Sequence, residues 1–209
     1  MWLVVGLGNP GRDYARNRHN IGFLVVDELC HRHRVETFRA KFGGEVTQGQ
    51  VAGQKALLLK PMEYMNLSGR AVQRTAAFYQ VEPKEIVVIH DEVDLEFGRL
   101  KLKVGGGHAG HNGIRSIIQD LGSADFVRVR CGVGRPAGTK GNMTGHVLGD
   151  FSKAEQTEAE IMTKEAADAV EDILGRGPLL AMNRWNSSAR SPDEDGEGRD
   201  TRPKGEKKE

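Results

Sequence analysis

Asn9, His19 and Asn20 follow the first apolar run of this chain, and three later stretches carry the same kind of side chain. Asn66 stands in Lys60-Pro61-Met62-Glu63-Tyr64-Met65-Asn66-Leu67-Ser68-Gly69, and His90-Asp91-Glu92-Val93-Asp94 follows the apolar residues Ile86 to Ile89. His111 and Asn112 end the run Gly105-Gly106-Gly107-His108-Ala109-Gly110. A histidine takes a proton near neutral pH, and a carboxylate on its other ring nitrogen fixes the tautomer and stabilises the imidazolium. Asparagine amides polarise carbonyls, bind oxyanions and read peptide N–H and C=O groups. The nucleophile of a hydrolytic triad is missing: no serine lies in G-x-S-x-G, and neither Cys30 nor Cys131 has a glycine-rich setting. The base would then act on water directly. Together these residues point to hydrolysis of an acyl group that carries peptide-like amides. Singly, each also fits a plainer role. His19 suits a surface or capping position, Asp91 a turn at a strand end, and Asn66 and Asn112 the N-caps of the helices they precede.

Two other chemistries compete for the same residues. Gly6, Gly8 and Gly11 satisfy G-x-G-x-x-G, but a dinucleotide site needs a helix opening at the third glycine. Here Pro10 precedes Gly11, Arg12 to Arg18 has no apolar stripe, and Asp27 falls within a helix and not at the end of a second strand. The glycines are expected instead to form a turn that places Asn9 over a crevice and routes the chain to His19. A metallohydrolase can be drawn from His19, His90, Asp91, His108 and His111. However, H-x-x-H within a glycine loop lacks the helical spacing of H-E-x-x-H, so no metal and no cofactor are expected.

These residues need a frame of alternating strands and helices. Leu3–Val5, Gln54–Leu59, Ile86–Ile89, Gly98–Lys103 and Phe126–Val133 read as strands. Apolar residues at helical spacing predict helices over Ile21–His31, Asn66–Tyr79, Asn112–Leu121 and Ser152–Leu174, the last capped by Ser152 and ended by Gly175. Such alternation implies an α/β sheet covered on both faces. In sheets of this kind ligands bind outside the carboxyl ends of the strands, where the polar loops above can converge.

Length and composition bound the rest. The 209 residues suffice for one domain with a full core. No run approaches the roughly 18 apolar residues of a membrane span, and the chain opens without a signal-peptide layout. Two distant cysteines argue against a disulfide framework and fit a reducing, cytoplasmic setting. A net charge of +1 means that RNA, if bound, is held by a local basic patch. From Ser187 to Glu209 six basic and seven acidic side chains replace the apolar ones, so residues 187–209 are expected to form a disordered tail beyond a domain of residues 1–186.

Taken as blocks, the motifs resemble the bacterial-type peptidyl-tRNA hydrolase family. Gly6 to Gly11 through Tyr14 to Arg18-His19-Asn20-Ile21-Gly22 is similar to its opening signature. Lys60 to Gly69, His90 to Ser116 and Phe126 to Pro136 are similar to three later blocks, in order, over residues 1 to 183. The resemblance implies a monomeric, metal-free enzyme with a mixed, twisted sheet flanked by helices on both faces. It would cleave the ester between a peptide and the tRNA 3′ end, with tRNA as its partner and no membrane. By resemblance His19 is the general base, Asp91 orients it, and Asn9 positions water or the carbonyl. Tyr14, Tyr64, Asn66, Asn112, Asn20 and His111 match substrate-binding or supporting positions. Lys101, Lys103 and Arg130 match contacts to a tRNA phosphate; strand alternation places Arg128 on the same solvated face as Arg130. The chain departs from the family pattern at Asn17, Glu63, Glu96 and Ala109. A non-catalytic RNA-binding relative would share the basic face but has no need of the whole polar set.

Overall fold

The computed structural model describes residues 1–35, 37–136 and 142–187. Its centre is four parallel strands: β1 (Trp2–Gly6), β4 (Gln54–Pro61), β5 (Ile86–Glu92) and β7 (Val127–Gly132). Both faces of these strands are covered, so they read as near-continuous apolar runs, and Leu3, Val4, Val5, Leu57, Leu58, Ile86 and Val88 are fully buried. Antiparallel strands β2 (Arg39–Lys41) and β3 (Gly44–Val51) extend one edge, and β6 (Leu100–Val104) closes the other. The sheet order is β2-β3-β4-β1-β5-β7-β6.

Helices α1 (Ile21–His33), α5 (Gln156–Arg176) and α6 (Pro178–Ser187) pack on one face, where Val25, Leu29, Met162, Val170 and Ile173 meet Val4, Val87 and Val129. Helices α2 (Ser68–Tyr79) and α3 (Asn112–Leu121) cover the other, burying Val72, Ile114 and Ile117 against Val5, Leu59 and Val88. The short α4 (Met143–Val147) lies near the carboxyl ends of the central strands. This is the α/β sheet covered on both faces that the alternation implied, with the mixed strand directions that the family resemblance implied.

Several boundaries differ from the sequence reading. The helix predicted from Asn66 begins as a separate 3-10 turn over Met65–Leu67. Ser152 does not cap α5: the helix starts four residues later, behind a turn in which Glu155 accepts the Ser152 N–H. Helix α5 also runs through Gly175 and stops at Gly177, which has φ 89°. The strand predicted from Gly98 starts at Leu100, because Gly98 sits in a turn with positive φ. Ser187 is the last residue of α6, and the rest of the predicted tail lies outside the described residues.

The hairpins joining β2–β3 and β3–β4 were not anticipated. Each uses a two-residue turn with both φ angles positive, Phe42–Gly43 and Ala52–Gly53. Such turns normally advertise themselves with Asn-Gly or Asp-Gly, and Phe or Ala in the first position hides them. Helix α6 was missed because its two-turn apolar face is split among Ala181, Met182 and Trp185. It matters for the edge: the Asn186 amide donates to Leu102 O and accepts from Leu102 N, occupying the open side of β6.

The opening glycines do a further job beyond the turn expected of them. Among Gly6, Gly8 and Gly11 only Gly11 has a positive φ. A Cβ on Gly6 would lie 2.1 Å from Gly22 O, and one on Gly22 would lie 2.3 Å from Leu7 N and 2.5 Å from Ile89 O. Gly6 and Gly22 therefore let α1 press its first turn directly on the backbone of β1 and β5. The atoms that a Cβ on Gly22 would meet are all backbone, so Gly22→Ala should destabilise the fold by about 3 kcal/mol in urea titration.

Candidate active site

The parallel strands deliver the polar loops to one end of the sheet. Asn9 follows β1, Asn66 follows β4, Asp91 is near the end of β5, and His111 and Asn112 start α3. His19 sits in a 3-10 turn (Arg18–Asn20) that runs into α1 at the glycine contact described above. These loops surround a cavity of about 660 Å³ lined by Asn9, Tyr14, His19, Tyr64, Asn66, Asp91, His111 and Asn112.

Asp91 is its centre. The side chain is 2% exposed, and one oxygen, Oδ1, lies 2.7 Å from His19 Nδ1 and 2.9 Å from His111 Nε2. His111 caps α3: its Nδ1 accepts the N–H groups of Gly113 and Ile114. Its proton is therefore on Nε2, and it donates to Asp91. Burial alone would raise the Asp91 pKa, but His111 and His19 outweigh it and hold the carboxyl well below the usual carboxylate range. With Nδ1–H of His19 donated to Asp91, Nε2 keeps a lone pair, and it has no partner among the described residues. That is the geometry of an oriented base.

Asn9 is held as tightly. Its backbone N–H donates to Asn20 Oδ1 and its carbonyl accepts from Asn20 Nδ2, both at 2.9 Å. Its Oδ1 accepts the Met65 N–H at 2.8 Å, which fixes the flip of the amide and leaves Nδ2 as the free donor. Asn20 is thus behind the cavity wall and braces Asn9. Asn66 and Asn112 are exposed on the rim with no polar partner among the described residues. Neither is a cap: Asn66 lies within a 3-10 turn, Asn112 is the first residue of α3, and His111 takes the capping role.

The other histidines point elsewhere. His108 is exposed and accepts from Gly110 N. His90 is turned to the α3 side, where Nδ1 donates to Asp91 O at 2.7 Å. His19, Asp91 and His111 do bring three ligating atoms within 4.8 Å of one another. Their 2.7 and 2.9 Å separations are shorter than the about 3.3 Å between two donors on one tetrahedral zinc ion, and they fit a hydrogen-bonded relay. Burial pushes the Cys30 thiol up to about 11 and raises Cys131 further, so neither offers a thiolate.

The basic strand positions divide. Lys101 pairs in register with Arg130 and Lys103 with Arg128 across β6 and β7. Lys103 is exposed, while Arg130 is half-buried and forked on Glu92 at 2.9 and 3.0 Å. Arg128 does not belong to the solvated face: it is 3% exposed, and its guanidinium holds the carbonyls of Gly106 and Gly107. An exposed arginine and one that clamps a glycine loop have the same sequence signature.

The family profile described as peptidyl-tRNA hydrolase matches residues 3–193. The chain is 52% identical over 188 residues to a peptidyl-tRNA hydrolase of Sorangium cellulosum, covering 90% of this chain and 84% of that protein. It is 51% identical over 181 residues to the one from Gluconobacter oxydans, covering 87% and 92%. The crystal structure of peptidyl-tRNA hydrolase from Acinetobacter baumannii superposes with a TM-score of 0.82 at 39% identity, covering 90% of this chain and 95% of that one. The chain belongs to the peptidyl-tRNA hydrolase family.

This family member also builds its cavity from residues that the sequence did not single out. Met143, Thr144, Val147 and Leu148 supply one wall. Arg18 secures it, donating to the carbonyls of Gly149 and Asp150 and forking on Glu155 at 2.7 and 3.0 Å. Asn17, one of the departures, joins the same wall through Asp150 at 2.7 Å. Ala109, another, sits at φ 49°, where glycine is the easier residue. A buried arginine beside the histidine was the available signal, and only the fold revealed its partners.

His90 makes stability pH-dependent. Burial, with smaller contributions from His111 and Arg128, lowers its pKa to about 3 from 6.5. The unfolded chain therefore binds the extra proton first, and stability falls as pH drops below about 6.5, by up to about 1.4 kcal/mol per pH unit from this group. Asp91 adds its own loss only below its ordinary value of 3.8. Urea midpoints between pH 7 and pH 4 should show this slope, and His90→Asn should flatten it.

Proposed function

We propose that this chain hydrolyses the ester between a peptide and the 3′-terminal ribose of tRNA, with His19 as general base acting on water. The observation that carries this reading is the buried Asp91 oxygen shared by His19 Nδ1 and His111 Nε2, which leaves His19 Nε2 as the proton acceptor at the cavity. Water gives a proton to Nε2 as its oxygen adds to the ester carbonyl. The charge that develops on that carbonyl oxygen is met by the Asn9 Nδ2 donor. Collapse breaks the bond to the ribose oxygen, which takes the proton from Nε2. Asp91 stabilises the imidazolium between these steps.

Asn66 and Asn112 bind the amide groups of the peptide next to the ester, which favours an N-acylated over a free aminoacyl group. Tyr14 and Tyr64 flank the same path. Lys101, Lys103 and Arg130 contact tRNA phosphate, giving affinity and register without sequence readout. This suits an enzyme that accepts many tRNAs. We further read it as a cytoplasmic monomer; within the described residues no helix is long and apolar enough to cross a membrane.

Turnover of N-acetyl-aminoacyl-tRNA should be readily measured, with free aminoacyl-tRNA a much poorer substrate. His19→Ala should lower kcat by about 10²–10⁴, and Asp91→Asn should also lower kcat strongly with little change in KM. Asn9→Ala should lower kcat by about 10²–10³. Activity should persist in excess chelator. An inactive wild-type protein that still bound tRNA would favour the non-catalytic relative.

A further inference from the structure

The charge of this molecule is close to balanced overall, but its helices differ in sign. Helix α5 carries Glu158, Glu160, Glu165, Asp168, Glu171 and Asp172 against Lys164 and Arg176, with Arg32 of α1 on Asp168 and Glu171 and Arg184 of α6 on Asp172. On the opposite face α2 carries Arg70 and Arg74 and no acid, although Glu63 lies 4.0 Å from Arg70, and α3 carries Arg115 and Asp120. The phosphate candidates Lys101, Lys103 and Arg130 lie on this second face, at the β6 edge.

A second basic feature lies at the other edge. A groove of about 640 Å³ runs between β2, β3 and the end of α1, lined by Arg34, Arg39, Lys41, Thr37, Gln48 and Gln50. Among the described residues its lining holds no carboxylate, and neither Arg34 nor Arg39 has an ion-pair or hydrogen-bond partner. Lys41 rests over Phe78 and Phe42, 4.1 and 4.6 Å from their ring centroids, which turns it and Arg39 towards the α2 face. The β2–β3 turn is tied to the segment that follows β4: Gly43 O accepts the Met62 N–H, two residues before Tyr64. From β2 to β6 there are six strand spacings, about 29 Å.

We infer that the Arg34–Arg39 groove is a second contact for the phosphate backbone of the RNA substrate, distinct from the Lys101–Arg130 edge. It rests on the proposed hydrolase reading and extends it. Guanidiniums without a partner among the described residues, at an open groove with amide and hydroxyl neighbours, suit phosphate oxygens, which accept forked hydrogen bonds. The two edges lie too far apart for one phosphate but on one face, so they hold an extended or duplex RNA across α2 and α3. The acid-rich α5 face repels the same polyanion and so sets the side on which it docks.

The test is the double variant Arg34→Gln/Arg39→Gln, with Lys41 left in its aromatic setting. Binding of deacylated tRNA is measured from 50 to 200 mM salt, alongside hydrolysis of two substrates, full-length N-acetyl-aminoacyl-tRNA and the same group on a 3′ trinucleotide. The inference expects about tenfold weaker tRNA binding at low salt and a log–log salt slope shallower by about 2. KM should rise for the full-length substrate, with kcat and the trinucleotide reaction unchanged. Wild-type tRNA affinity and salt slope in the double variant would overturn it, as would equal losses on both substrates, which would signal a disturbed fold. If the wild-type protein fails to cleave either substrate, the hydrolase reading fails instead, and the binding data still decide whether the groove holds RNA.

Discussion

A carboxylate with almost no solvent must find hydrogen-bond donors or be protonated, and the architecture of this protein answers that demand at Asp91. Its two donors come from opposite sides of the sheet. His19 arrives from the turn before α1, and His111 from the cap of α3. Each histidine has its second ring nitrogen committed or freed by this arrangement: His111 Nδ1 is spent on the α3 backbone, while His19 Nε2 is left open to the cavity. One oxygen thus couples the capping of a helix to the orientation of the His19 imidazole.

Close backbone packing makes that coupling possible. The Gly6–Gly22 contact brings α1 against β1 and β5, so the turn that carries His19 starts within reach of the end of β5. The wall opposite is fastened by Arg18, the residue next to His19, through carbonyls of the 149–150 segment and the carboxylate of Glu155. His19, Asp91 and the cavity wall are therefore fixed by neighbours in sequence that reach distant parts of the fold. Asn9 follows the same rule, clasped by Asn20 and Met65 so that only its donor remains available.

Much of this was legible in the residues. Apolar runs located the four central strands and the main helices, and polar side chains stranded at their ends marked the loops that converge. The failures share a cause: a side chain's type does not say whether it faces solvent or folds back. Arg128 and Arg130 alternate on one strand as expected, yet one holds glycine carbonyls and the other faces Glu92. The clearance that the opening glycines also give α1 was not legible, because it depends on Gly22, sixteen residues after Gly6.

The sequence by itself determined the α/β architecture, the inventory of a histidine, a carboxylate and several amides, and the absence of a serine or thiol nucleophile in a catalytic setting. Periodicity and residue chemistry are local properties, and they are enough for that. Only the tertiary structure decided that Asp91 serves two histidines and not one, that His111 rather than Asn112 caps α3, and that Asn20 stands behind Asn9. It also decided that Arg130 pairs with Glu92 while Arg128 turns to a glycine loop. Tautomers, caps and surface fields depend on the distances between atoms far apart along the chain, and those distances exist only once the sheet is assembled.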